Sequence, residues 1–149
     1  MYTRILVATD GSKTSGDALE EALKLAGAGA RLRIVHVIDS PYAYADAWYA
    51  AVSVDVDAIQ RAWRGAGQAI LDQAAVQARE AGVPAETALL ETDGRRVSRV
   101  IVEDAERWPA DVIVIGSHGH RALEQLLIGS VAEGVTRSAQ VPVLLVRAG

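Results

Sequence analysis

The chain has 149 residues, 50% hydrophobic and 23% charged, which suits one globular domain with a sizeable core and excludes a two-domain enzyme. A net charge of −4 argues against a general nucleic-acid surface, and the absence of cysteine excludes disulfides, thiolate nucleophiles and cysteine-held metal centres. No apolar run approaches the ~20 residues of a membrane span, and the early run Ile5-Leu6-Val7-Ala8 stops at Thr9-Asp10-Gly11, so a soluble cytoplasmic protein is expected.

In chain order, Arg4–Thr9 is the first predicted strand. Ser15 is expected to cap a helix carrying Ala18, Leu19, Ala22, Leu23 and Ala26, which closes at Gly27 or Gly29. Arg31–Ile38 is the second strand. Residues Pro41–Val56 form an irregular stretch, long for a connection. It holds Tyr42, Tyr44, Trp48 and Tyr49, four of the seven aromatics, and reads either as a lid or partner contact or as a cover for its own surface.

Asp55 or Asp57 opens a longer helix with Ile59, Ala62, Trp63, Ala66, Ile70, Ala74, Ala78 and Ala81 on one side. Gly82 stops it, and Gly65 and Gly67 weaken its middle by roughly 1 kcal/mol each relative to alanine. Ala85–Glu91 is the third strand. Asp93 starts a helix with Val97, Val100, Ile101, Ala105 and Trp108, and Asp111–Gly116 is the fourth strand. A last helix from Ser130 carries Val131, Val135 and Ala139, and the strand Val141–Arg147 follows. The alternation predicts a single α/β domain over residues 1–149, with a parallel sheet, right-handed crossovers and helices on both faces. The runs ILVA, VIVI and VLLV are continuously apolar, as strands covered on both sides should be.

One motif carries chemistry. The fourth strand ends in Gly116-Ser117-His118-Gly119, and Gly129-Ser130 follows at a helix start, with nine residues between Gly119 and Gly129. In G-x-x-G-x9-G-S, the glycines let the backbone approach a ligand and expose N–H groups. Ser130, Val131 and Ala132 then lie where a helix N-terminus favours phosphate. The competing reading makes Ser130-Val131-Ala132-Glu133 a capping box in which Ser130 holds only its own helix. In open parallel sheets ligands bind outside the strand carboxyl ends, where the strand order reverses. If the first and fourth strands are neighbours, Asp10 faces the same crevice as Gly116 and offers a carboxylate to ribose or adenine. Asp10 also fits a plain turn opener.

Other chemistries find little support. There is no G-x-x-x-x-G-K-[ST] and no G-x-G-x-x-G. His118-Gly119-His120 could hold a metal, but three histidines without cysteine make a dedicated site improbable. His36, within an apolar strand, reads as a satisfied core residue. No Ser-His-Asp arrangement or paired carboxylates stand out.

The segments ILVATDGS (5–12), IVHVID (34–39), DVIVIGSHG (111–119) and GSVAEGV with PVLLVR (129–147) resemble the single-domain, ATP-binding universal stress proteins over nearly the whole chain. The resemblance implies a Rossmann-like three-layer sandwich with strand order 3-2-1-4-5 and ATP at the strand carboxyl ends. It implies that Ala8, Thr9 and Asp10 contact adenine or ribose, that Val37 offers backbone groups to adenine, and that Gly116 approaches the ribose. Gly119, Gly129, Ser130 and Val131 would hold the phosphates, with Ser117 and His118 lining the same loop and Mg2+ carried by the nucleotide. His120 and Ala122 depart from the commonest family wording and bear on how residues 120–128 close over phosphate.

The function expected is an ATP-binding stress or signalling module with no assigned catalytic residue. The alternatives are a slow ATPase or self-phosphorylating switch, using Ser12, Thr14, Ser117 or Ser130 with Arg121 nearby, and a dimeric scaffold. In the strand order that the resemblance implies, Val141–Arg147 is an apolar sheet edge with only Arg147 to blunt it, so a homodimer through this strand is expected, the competing reading being a monomer in which Pro41–Val56 folds back over the edge. A further protein partner is left open.

Overall fold

The computed structural model describes residues 1–47, 54–118 and 128–147. Its elements are β1 (Arg4–Ala8), α1 (Lys13–Leu25), β2 (Arg31–Ile38), a 3-10 turn (Pro41–Tyr44), α2 (Val56–Glu80), β3 (Ala85–Glu91), α3 (Val97–Arg107), β4 (Val112–Gly116), α4 (Ser130–Ser138) and β5 (Val143–Val146). All strand pairs are parallel, in the order β3-β2-β1-β4-β5. The expected topology is therefore the observed one. The last strand is shorter than expected, with Val141, Pro142 and Arg147 outside it.

Alternate residues of the continuous apolar runs feed two cores. Ile5, Val7, Val112 and Val114 point to the face covered by Leu19 and Ala22 of α1 and by Leu71, Ala74 and Ala78 of α2. Leu6, Ile113 and Ile115 point to the face covered by Ile101, Val102 and Ala105 of α3 and by Ala132 and Val135 of α4. Both sides of β1 and β4 are thus buried, which is why these strands read as unbroken hydrophobic runs rather than alternating ones.

Several local readings are corrected. Ser15 does not cap α1. Ser12 does, accepting from Ser15 N–H (3.2 Å), because the extended residue lies three positions upstream. Asp93 does not open α3. It has φ +47° in the turn closed by Arg95 N–H on the Thr92 carbonyl (2.9 Å), and the helix starts at Val97. Asp55 caps α2, accepting from Ala58 N–H (3.0 Å). The buried stripe of α2 is Val56, Gly67, Leu71, Ala74 and Ala78, whereas Ala62, Ala66 and Ala81 are exposed. Gly67 is therefore not a mere weak point. A Cβ there would lie 2.7 Å from Leu89 Cδ1 and 2.9 Å from His36 Cδ2, so the helix reaches the sheet only because the side chain is missing. At Gly65 a Cβ would meet nothing.

The amino end of the sheet is closed by paired polar groups. Asp111 accepts from Thr3 N–H (2.9 Å) and Arg4 N–H (3.2 Å). Arg33, on β2, forks onto Asp104 of α3 through Nε (2.7 Å) and Nη2 (3.0 Å), with Asp104 only 5% exposed. The Asp104 carboxylate holds the Arg33 guanidinium above its ordinary pKa. Glu86 takes the third Arg33 bond (2.9 Å) and that of Trp108 Nε1 (2.6 Å), while the Arg4 guanidinium lies 4.2 Å over the Trp108 ring.

Candidate functional site

At the carboxyl end of the sheet the strands stop at different levels. β1 pairs only as far as Ala8 opposite Val35, whereas β2 continues beside β3 to Ile38 opposite Glu91. Along β2, residues 31 and 35 bond toward β1, and residues 32 and 38 bond toward β3. Val37 therefore turns its N–H and C=O to the β1 side. The last backbone rung there is Thr9 N–H to the Val35 carbonyl, at 2.9 Å. The next would be Val37 N–H to the Thr9 carbonyl. Among the described residues that rung is not formed, and the Thr9 carbonyl instead accepts from His36 Nδ1 at 2.7 Å. The peptide edge of Val37 is left facing the gap beyond β1.

The chain leaves β1 through a turn held by its own hydroxyls and carboxylate. Ser12 N–H donates to Asp10 Oδ1 (2.9 Å), Thr9 Oγ1 lies 3.1 Å from Ser15 Oγ, and Ser15 Oγ donates to the Ser12 carbonyl (2.9 Å). Asp10 is thus both the turn former and a carboxylate fixed at the rim, beside the switch point where the sheet order reverses between β1 and β4.

On the other side of the switch point, β4 ends at Gly116. A Cβ on Gly116 would lie 2.8 Å from Thr14 Cγ2 and 3.2 Å from the Thr14 carbonyl, so α1 presses directly on the strand end. Ser117 is buried, and its N–H donates to the Val146 carbonyl (2.8 Å). The His118 ring bridges two hydroxyls, with Ser117 Oγ 3.1 Å from Nδ1 and Thr14 Oγ1 3.4 Å from Nε2. Gly129 N–H donates to the Ser117 carbonyl at 2.6 Å, and a Cβ on Gly129 would lie 3.2 Å from His118 Cα. The two glycine pieces of the motif are thereby clasped together, with α4 starting at the clasp.

Ser130 is not the cap of α4. Gly129 holds that position, in extended conformation, and Ser130 and Val131 are the first two helical residues. The first free backbone rung of α4 is Glu133 N–H to the Gly129 carbonyl (2.9 Å), so the N–H groups of Ser130, Val131 and Ala132 precede the intrahelical ladder. The capping-box reading of Ser130 is overturned, because the extended residue lies one position earlier.

The structure thus brings Ala8, Thr9, Asp10, Val37, Gly116, Ser117, His118, Gly129, Ser130 and Val131 to the carboxyl ends of adjacent strands and the start of α4. Gly119, His120 and Arg121 lie outside the described residues, as do Trp48 and Tyr49 of the aromatic stretch. The exposed Tyr42 hydroxyl donates to Asp57 of α2, and this bond holds the phenol above its ordinary pKa. Among the described residues no His, Asp and Glu cluster of three could hold a metal, and no helix is long and apolar enough to cross a membrane.

Three contributors were not legible as such. Thr14 packs under Gly116 and meets His118, Ser15 braces the Thr9 side chain, and His36 holds the Thr9 carbonyl. The spacing Ser12-x-x-Ser15 directly after Asp10-Gly11 was the available signal for the first two. His36 is a satisfied residue, as its strand position suggested. Its partner could be found only from the unequal lengths of β1 and β2.

The model of the Universal stress protein family matches residues 1–147. "Universal stress protein MJ0531" of Methanocaldococcus jannaschii is 35% identical over 152 residues, spanning 99% of this chain and 83% of that protein. A solved protein of the same family from Burkholderia pseudomallei superimposes with TM-score 0.77 at 33% identity, covering 99% of this chain and 97% of its own. Two more distant structures contain nucleotides. One is a universal stress protein in complex with cAMP (TM-score 0.67, 27% identity, 98% and 97% covered). The other is the Archaeoglobus fulgidus protein in complex with dAMP (TM-score 0.67, 26% identity, 98% of both).

Proposed function

This chain belongs to the universal stress protein family, and from that premise we propose that it is an adenine-nucleotide-binding module whose ligand is ATP, with Mg2+ carried on the phosphates. One observation carries the reading. At the switch point, the peptide edge of Val37, which bonds to no backbone group among the described residues, the Asp10 carboxylate and the N-terminus of α4 all lie at the carboxyl end of the sheet. The solved relatives holding cAMP and dAMP support the nucleotide class.

The chemistry of each part suits one part of the ligand. An N–H and a C=O on one peptide edge match the ring acceptor and exocyclic amine donor of adenine. Asp10 accepts from ribose hydroxyls. The N–H groups of Ser130, Val131 and Ala132 suit phosphate, and Ser130 Oγ adds a hydroxyl there. In this reading the site binds and does not turn over rapidly.

Calorimetric titration of the purified protein with AMP, ADP and ATP, with and without Mg2+, tests the reading. Binding is expected to be strongest for ATP. No heat from any of the three at millimolar concentration overturns the reading. Turnover of about 1 s⁻¹ or faster overturns the binding-module part alone.

The same reading includes a twofold dimer through β5. This strand is an edge of the sheet, four residues long, with Leu144 37% exposed, and its outer main-chain groups invite a second copy. Sedimentation at micromolar concentration is expected to give twice the chain mass, and Leu144→Glu a monomer.

A further inference from the structure

We propose that His36 is the positioning residue that keeps the Val37 peptide edge open for a base, so that the preference for adenine depends on its ring. The inference rests on the nucleotide-binding reading above and adds what sets the specificity of that site.

In a parallel ladder the natural partner of the Thr9 carbonyl is Val37 N–H. If that rung formed, β1 would extend by one step and the N–H that reads the base would be consumed. The His36 ring takes the carbonyl instead, at 2.7 Å. A carbonyl only accepts, so Nδ1 must carry the proton. The ring is held in place from the opposite side. It projects to the α1–α2 face of the sheet, where α2 crosses at Gly67, and the position of a Cβ on Gly67 lies 2.9 Å from His36 Cδ2 and 2.7 Å from Leu89 Cδ1. The missing side chain of Gly67 is the space the imidazole needs. Thr9 is held in turn through its own N–H on Val35 and its hydroxyl near Ser15. The strand end is thus pinned at the level of Val35, one rung short of Val37.

Adenine presents an acceptor and an amine donor to that edge, whereas hypoxanthine presents a donor and an acceptor in the reverse order. An edge with N–H and C=O fixed side by side therefore prefers AMP over IMP. An edge whose N–H is spent on Thr9 loses both affinity and preference.

The test measures AMP and IMP affinity for the wild type and for His36→Asn, His36→Gln and His36→Leu, alongside ring-nitrogen NMR of the ligand-free wild type. Asparagine sets an amide nitrogen near the place of Nδ1, whereas glutamine carries it past that place and leucine has none. The wild type is expected to show the Nδ1–H tautomer and to prefer AMP. His36→Asn should keep the preference, and His36→Gln and His36→Leu should lose about tenfold in AMP affinity, the value of one hydrogen bond, with little change for IMP. Should the leucine variant not fold, the glutamine variant and the tautomer decide. An Nε2–H tautomer, or a glutamine or leucine variant with wild-type AMP preference, overturns the role of His36 while leaving nucleotide binding intact. A wild type that binds neither nucleotide removes the underlying reading and this inference with it.

Discussion

The two ends of the one sheet solve opposite problems. At the amino end, Arg33, Asp104, Glu86, Trp108 and Arg4 satisfy one another, and Asp111 ties down the start of β1. At the carboxyl end the side chains of Thr9, Asp10, Ser12 and Ser15 satisfy the turn they belong to, while strand ends and a helix start keep main-chain groups directed outward. The difference lies in what is paired. The first end joins distant elements through side-chain pairs, and the second, apart from His118 on Thr14 and His36 on the Thr9 carbonyl, braces its loops locally so that the backbone can meet something else. Stability should therefore be concentrated at one end and ligand affinity at the other.

The largest test of that division is Asp104→Ala. It leaves the mostly buried Arg33 guanidinium without its two-point partner and should cost about 3–5 kcal/mol in a denaturant melt. Nucleotide affinity of the folded fraction should not move. A double replacement, Arg33→Met with Asp104→Leu, should recover most of the loss, since the pair is costly to bury in the first place. Affinity falling with either variant would break the division.

A pair of glycines on α2 comes next. Gly67→Ala should destabilise by about 1–3 kcal/mol, because the methyl group has to displace Leu89 and a His36 ring already tied to Thr9. Gly65→Ala, two residues away and unobstructed, should stabilise by about 0.5–1 kcal/mol. Opposite signs in thermal melts would locate the contact between helix and site, and equal signs would dissolve it.

Two serines sharpen the carboxyl end. Ser12→Ala removes a true cap and should cost about 1 kcal/mol. Ser130→Ala, one position inside α4, should cost only a few tenths of that while weakening ATP binding. A full cap-sized loss at Ser130 would return it to a purely structural role.

The smallest effect concerns the exposed ion pairs around Glu103 of α3. Arg99 and Arg95 hold Glu103 below its ordinary value of 4.5. A carboxyl lowered in the folded state contributes stability that is present above the ordinary value and lost as pH falls through the lowered one. Glu103→Gln should therefore flatten the acid limb of the stability profile slightly and leave neutral pH almost unchanged. A large loss at neutral pH would make this pair part of the framework.

Much of the fold was legible because both faces of the central strands are covered. Two-sided burial writes itself as the unbroken runs ILVA and VIVI, and glycines mark the ends. Helix starts were less legible. Ser12 and Ser15, or Gly129 and Ser130, compete for one cap, and the choice depends on which residue is extended. The site was legible where glycine spacing signals close approach, as at Gly116 and Gly129. The partners of Thr14 and His36 were illegible, since they lie 104 and 27 residues away and are set by where strands end. Gly67 was read with the wrong sign for the same reason. Helix propensity counts its missing side chain as a loss, whereas the sheet beneath it requires the space.

That β2 outruns β1 has a consequence for how such a protein tolerates change. What faces the gap at position 37 is a peptide group, and every residue but proline supplies the same one. Substitutions there will register only through the side chain, which packs into the α3–α4 core, so a mutational scan will score Val37 as a packing position and pass over it. Proline alone would silence the N–H, so in the proposed reading Val37→Pro removes a ligand contact that every other replacement at this position keeps. If residue 37 meets the ligand through its peptide alone, as proposed, sequence drift there carries no information about binding.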